Sequence, residues 1–158
     1  MNSAVAKLQA RLEQEAKLVG EFLAILEDEA KVLEDGAVEA ALIETTERKN
    51  VAADALTDAA QERNRVLESL GFEADGPGLA AAVEAHPELA SLREDLIQIT
   101  ERARALNESN GQLIEAFLDH NQRALETLRR LTGIGDIYDA SGRKRKAGAG
   151  KSRNIKAG

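Results

Sequence analysis

The sequence predicts an all-α fold: an antiparallel bundle of three long helices with coiled-coil-like packing, a short helix in the 71–86 connection and a disordered C-terminal tail. Three observations predict it. Of 158 residues, 28 are Ala, 20 are Leu and 19 are Glu, the usage of long helices with narrow apolar seams. Aromatic residues make up 3%, with no Trp, one Tyr and three Phe, too few for a β-sandwich or barrel. Apolar side chains recur at spacings of three and four along three long segments, the period of one helix face.

The first helix is expected at about 4–34, with Ser3 as its cap. Val5, Leu8, Leu12, Ala16, Val19, Leu23, Leu26, Ala30 and Leu33 form its stripe, and Gly36 supplies a stop. The second is expected at about 38–70, with a stripe running from Val38 and Leu42 through Leu56 to Val66 and Leu70, ended by Gly71. The connection is only a few residues, so these two helices pack as an antiparallel hairpin.

Gly71, Gly76, Pro77 and Gly78 punctuate a loop, and Leu79 to Ala85 has the composition of one or two helical turns. Pro87 then opens the third long helix, where its missing N–H is harmless. That helix is expected at about 87–131, with Leu89, Leu92, Leu96, Ile99, Ala103, Leu106, Asn110, Leu113, Phe117, His120, Ala124 and Leu128 in heptad-like register. It is longer than its partners, so part of its stripe lacks a cover within a three-helix bundle.

Charge divides the chain. Residues 141–158 hold seven basic side chains and no acid, whereas residues 1–140 hold 14 basic and 28 acidic ones. The expected organisation is a helical bundle domain over 1–135 and a flexible basic tail over 136–158, too poor in apolar residues to offset its ordering entropy. A solubilising or regulatory tail fits better than a nucleic-acid arm, because the tail has no stacking aromatic after Tyr138 and the body repels phosphate.

Catalytic chemistry is missing from the pattern. With no cysteine, disulfides, thiolate zinc sites and a cysteine nucleophile are excluded, and a reducing compartment fits. The two histidines, His86 and His120, follow Val83 and Phe117 at the three-residue spacing where a di-iron bundle needs Glu. No phosphate loop, nucleophile elbow or His-Glu-x-x-His occurs. No enzyme, metal or cofactor is expected. No apolar run approaches the roughly 18 residues of a membrane span. Lys7 and Arg11 lead into acidic helix rather than a signal sequence. A cytoplasmic location is expected.

Several residues stand out against the helical background. Thr45, Lys49 and Arg63 fall on the second stripe and Asn110 on the third. Long polar side chains at such sites snorkel to water; Asn110 also reads as a register or partner-specificity device. Gly111, in mid-helix, costs roughly 1 kcal/mol against Ala, so either the helix breaks there or something packs close. Beyond it, Leu113, Ile114, Phe117, Leu118, Leu125, Leu128 and Leu131 form two adjacent stripes. That breadth fits self-association or ordinary core, and equally a groove that receives a helix from another protein.

Over about residues 4–142 the layout resembles the flagellar type III export chaperone family FlgN, a hook-filament junction protein chaperone family. The carrying segment is Asn107-Glu-Ser-Asn110-Gly111-Gln-Leu113-Ile114, followed by Leu118, Gln122-Arg-Ala124-Leu125 and Leu128. The turn Ile137-Tyr138-Asp139-Ala-Ser-Gly142 is similar to the tyrosine-containing sequence after that helix in the family. Lys49, Leu56 and Arg63-Asn-Arg-Val-Leu67-Glu-Ser-Leu70-Gly71 also match its pattern. The basic tail lies outside the likeness. The resemblance implies a chaperone that binds helical terminal segments of hook-associated junction proteins (FlgK- and FlgL-like), prevents their premature association and delivers them to the flagellar export apparatus. It implies substrate-protein binding at Asn110, Leu113, Ile114, Phe117, Leu118, Leu125 and Leu128, and docking to the export gate through Tyr138, with the export ATPase as a further partner. A cargo-free coiled-coil homodimer and a nucleic-acid-associated helical protein stand as alternatives.

Overall fold

A computed structural model of the chain describes residues 2–36, 38–132, 136–138 and 144–146. It contains α1 (Ser3–Glu34), α2 (Glu39–Ser69), α3 (Gly76–Ala85), a 3₁₀ turn (Pro87–Leu89) and α4 (Ala90–Thr132). The all-α class holds, and the short helix lies in the expected connection. Two three-residue strands, β1 (Asp136–Tyr138) and β2 (Lys144–Lys146), pair antiparallel with Tyr138 opposite Lys144. The sequence reading placed no regular structure there; Ile137 and Tyr138 are residue types that strands favour. The rest of the expected disordered tail lies outside the described residues.

Packing divides the chain into two compact units, Met1–Asn110 and Gly111–Gly158. The boundary falls inside α4.

In the first unit, α1 supplies half of the core. Val5, Leu8, Leu12, Val19, Leu23 and Leu26 are buried and meet Leu67 of α2, Leu79 and Ala82 of α3, Leu89 of the 3₁₀ turn, and Leu96 and Ala103 of α4. Leu8, Leu12, Leu26, Leu67 and Leu89 have no accessible surface, so truncating any one to Ala removes about 2–5 kcal/mol.

Local chemistry sets the helix ends. The α1 cap is Asn2, one residue before the expected Ser3: its Oδ1 accepts from the Val5 N–H at 2.8 Å. At the end of α2, Gly71 has φ +87°. The Gly71 N–H donates to the Glu68 carbonyl and the Phe72 N–H to the Leu67 carbonyl, each at 2.9 Å, the Schellman pattern. Phe72 then packs on the core. The short helix starts three residues before the expected Leu79. Asp75 Oδ1 caps it by accepting from the Gly78 N–H at 2.7 Å, and Pro77 sits in the first turn, where it lacks only an orphan donor. Gly78 is required for packing, since a Cβ there would lie 1.9 Å from the Glu73 carbonyl oxygen.

Gly111 meets neither expectation. α4 runs unbroken through it, and a Cβ at that position would find nothing within 4 Å. With 43 residues against 32 for α1 and 31 for α2, α4 is the longest helix, about 65 Å at the standard rise.

Candidate functional site

Lys49, Arg63 and Asn110 are committed to holding helices together, whereas the buried Thr45 hydroxyl donates to the Leu42 carbonyl of its own helix at 3.0 Å. Lys49 Nζ donates to Glu29 Oε1 at 3.1 Å and Oε2 at 3.3 Å. Glu29 is fully buried. Asn110 Nδ2 donates to the Leu26 carbonyl at 2.9 Å and to Glu29 Oε1 at 3.0 Å. Both partners are acceptors, which fixes the orientation of the amide. One layer thereby joins α1, α2 and α4. A second crossing pair, Arg63 Nη1 to Glu15 Oε2 at 2.6 Å, ties α2 to α1 near the other end. Burial pushes the Glu15 carboxyl above its ordinary range, against the opposing pull of the Arg63 guanidinium.

This corrects the view of Lys49 and Arg63 as side chains reaching for water; each ends on a buried carboxylate. The sequence reading missed Glu15 and Glu29. A signal was present: the two acids stand fourteen residues apart on α1, and Lys49 and Arg63 fourteen apart on α2. An antiparallel hairpin brings both pairs into one register.

The second unit carries the apolar arc. At about 100° per residue, Leu113, Leu131, Phe117 and Leu128 fall within about 60° of the helix circumference, and Ile114, Leu125 and Leu118 extend the arc to about 140°. Glu115, Asp119, Arg123, Glu126, Arg129 and Arg130 fall on the remaining circumference. None of residues 111–131 is buried. Leu113 is 50% exposed, Leu128 51% and Leu131 80%; Ile114, Phe117, Leu118 and Leu125 are half-buried. His120 and Ala124, counted in the heptad register, are exposed. Ala124 falls on the arc between Leu113 and Phe117, and His120 about 20° beyond its edge. The opposite side is polar apart from the small Ala116 and includes an Arg123–Asp119 pair at 2.8 Å.

A protein-family model described as FlgN protein matches residues 1–146. The chain belongs to the FlgN family. The flagella synthesis protein FlgN of Proteus mirabilis is 27% identical over 142 residues, which is 89% of this chain and 92% of that protein. No solved structure matches the chain. FlgN membership agrees with the resemblance read from the Asn107–Ile114 segment.

Within this FlgN-family chain, the residues singled out from sequence separate into three groups. Leu113, Ile114, Phe117, Leu118, Leu125 and Leu128 share the accessible arc. Asn110, expected beside them as a partner contact, is 1% exposed and faces α1, because its amide is taken up by two acceptors inside the first unit. Tyr138 ends β1; its side chain is outside the described residues. Among those residues, no helix is long and apolar enough to cross a membrane.

Proposed function

We propose that this protein is a cytoplasmic flagellar export chaperone whose cargo is a helical terminal segment of hook-associated junction proteins, of the FlgK and FlgL type. The observation that carries the reading is the accessible 140° apolar arc on the C-terminal half of α4, in a chain of the FlgN family. Such an arc is wider than a single coiled-coil seam, and a large exposed apolar surface marks a partner site. An amphipathic cargo helix laid along it buries its own apolar face, the face through which it would otherwise associate with other junction proteins. Phe117 lies within the arc and Leu118 at its outer edge, so truncating both removes apolar surface from each of its two stripes, where binding energy can concentrate.

Tyr138, a few residues after the end of α4, serves in this reading as the contact to the export gate. Its aromatic body and polar hydroxyl suit an anchor that docks and releases. The export ATPase is a further contact during delivery. Asn110 holds α4 to α1 and takes no direct part in binding cargo.

Purification of the tagged protein from flagellated cells tests the proposal. Junction proteins are expected in the eluate from wild type and absent from a Phe117→Ala/Leu118→Ala variant. Their absence from the wild-type eluate would overturn it.

A further inference from the structure

A second apolar surface lies in the first unit, on the flank of α1 beside its core stripe. Leu18 and Ile25 each precede a buried core residue (Val19, Leu26) by one position, so they lie about 100° around the helix. On α2 they are matched by Val51, which is 72% exposed, and by the small side chains of Ala52 and Ala55. Leu18, Ile25, Val51, Ala52 and Ala55 line an open groove of about 440 Å³ along the α1/α2 hairpin. The small alanines on the α2 side allow an incoming backbone to approach closely.

The uncompensated charge at this groove is acidic. Glu21 and Glu47 line it, and neither makes an ion pair among the described residues. Its basic lining residue, Arg48, is already paired with Asp28 at 3.1 Å.

We infer that this groove docks an amphipathic helix of a partner protein whose apolar stripe is flanked by lysine or arginine. A second copy of this chain fits poorly, because a two-fold contact on this face would bring Glu21 and Glu47 of both copies together. A nucleic acid is repelled by the same acids. The site is independent of the arc on α4 and does not rest on the cargo-binding reading, since it shares no residue with it.

The test uses the full-length protein carrying Phe117→Ala/Leu118→Ala, which disables the α4 arc. Two labelled synthetic helical peptides with identical leucine stripes, one flanked by lysines and one by glutamates, are titrated by fluorescence anisotropy at physiological salt. The lysine peptide is expected to bind at least tenfold more tightly than the glutamate peptide. Val51→Asp, at an exposed position that leaves helix content unchanged, should weaken it at least tenfold. Glu21→Lys/Glu47→Lys should reverse the preference between the two peptides. Absence of lysine-peptide binding, equal binding of both peptides, or binding indifferent to Val51→Asp would overturn the inference. So would a concentration-dependent dimer abolished by Val51→Asp, which would make a second copy the occupant.

Discussion

Asn110 of α4 donates its side-chain amide to Glu29 of α1 at 3.0 Å, both side chains buried, while Lys49 of α2 pairs with the same carboxylate from the partly exposed edge of the layer. The contact lies at the last residue of the first compact unit. Asn110→Ala removes two hydrogen bonds and leaves Glu29 with one donor fewer. Chemical denaturation should show a loss of about 1–3 kcal/mol. Asn110→Asp sets a second carboxylate against Glu29 and should cost more than the alanine change. An aspartate variant as stable as wild type would show that the second carboxylate finds compensation in the layer.

Glu15 provides a pH signature. Its carboxyl is raised by burial more than Arg63 lowers it. A raised carboxyl binds its proton more tightly in the folded state than in the unfolded chain. Its contribution is therefore full below the unfolded value and fades as pH rises through the folded one. Glu15→Gln keeps an acceptor for Arg63 and cannot ionise. Its melting temperature should fall less than that of wild type between about pH 4.5 and neutral pH. Identical slopes in the two proteins would contradict the assignment.

Two glycines should respond oppositely to alanine. At Gly111 the helix is continuous and a Cβ meets nothing within 4 Å, so Gly111→Ala should stabilise by up to about 1 kcal/mol. At Gly78 a Cβ would collide with the Glu73 backbone, so Gly78→Ala should destabilise and displace the Asp75 cap. Paired melting curves check both signs. A stabilised Gly78→Ala protein would mean that the 73–78 turn adjusts freely.

The helices and their order were legible because spacings of three and four persist over thirty or more residues, and Gly36 and Gly71 mark two of the stops. Cap positions were less legible. Asn2 and Ser3 are both good caps, and only backbone geometry chooses between them. The Glu29–Lys49–Asn110 layer was half legible. Asn110 and Lys49 stand out on apolar stripes, but Glu29 looks like one more surface acid until α2 is laid antiparallel to α1. Gly111 was misread because cost in a helix suggests a reason, and here no close packing supplies one. The α4 arc was legible as composition. Its accessibility was not, since a stripe of that breadth serves a core equally well.

Tyr138→Ala should separate delivery from binding. The variant should retain junction proteins on purification, with helix content unchanged, while secretion of those proteins into the medium falls. Loss of cargo binding together with loss of helix content would make Tyr138 structural and remove it from the delivery step.

The central claim is that the arc of α4 binds a helical segment from a junction protein. Titration of wild type and of Phe117→Ala/Leu118→Ala with a junction-protein C-terminal peptide, run beside sedimentation of both proteins, tests it most directly. The account predicts a wild-type monomer that binds the peptide and a variant of unchanged helix content whose affinity is lower by at least tenfold, since truncating large apolar contacts at an interface costs about 2 kcal/mol or more. A tight wild-type dimer indifferent to the peptide, converted by the double substitution to monomer or unfolded chain, would contradict it.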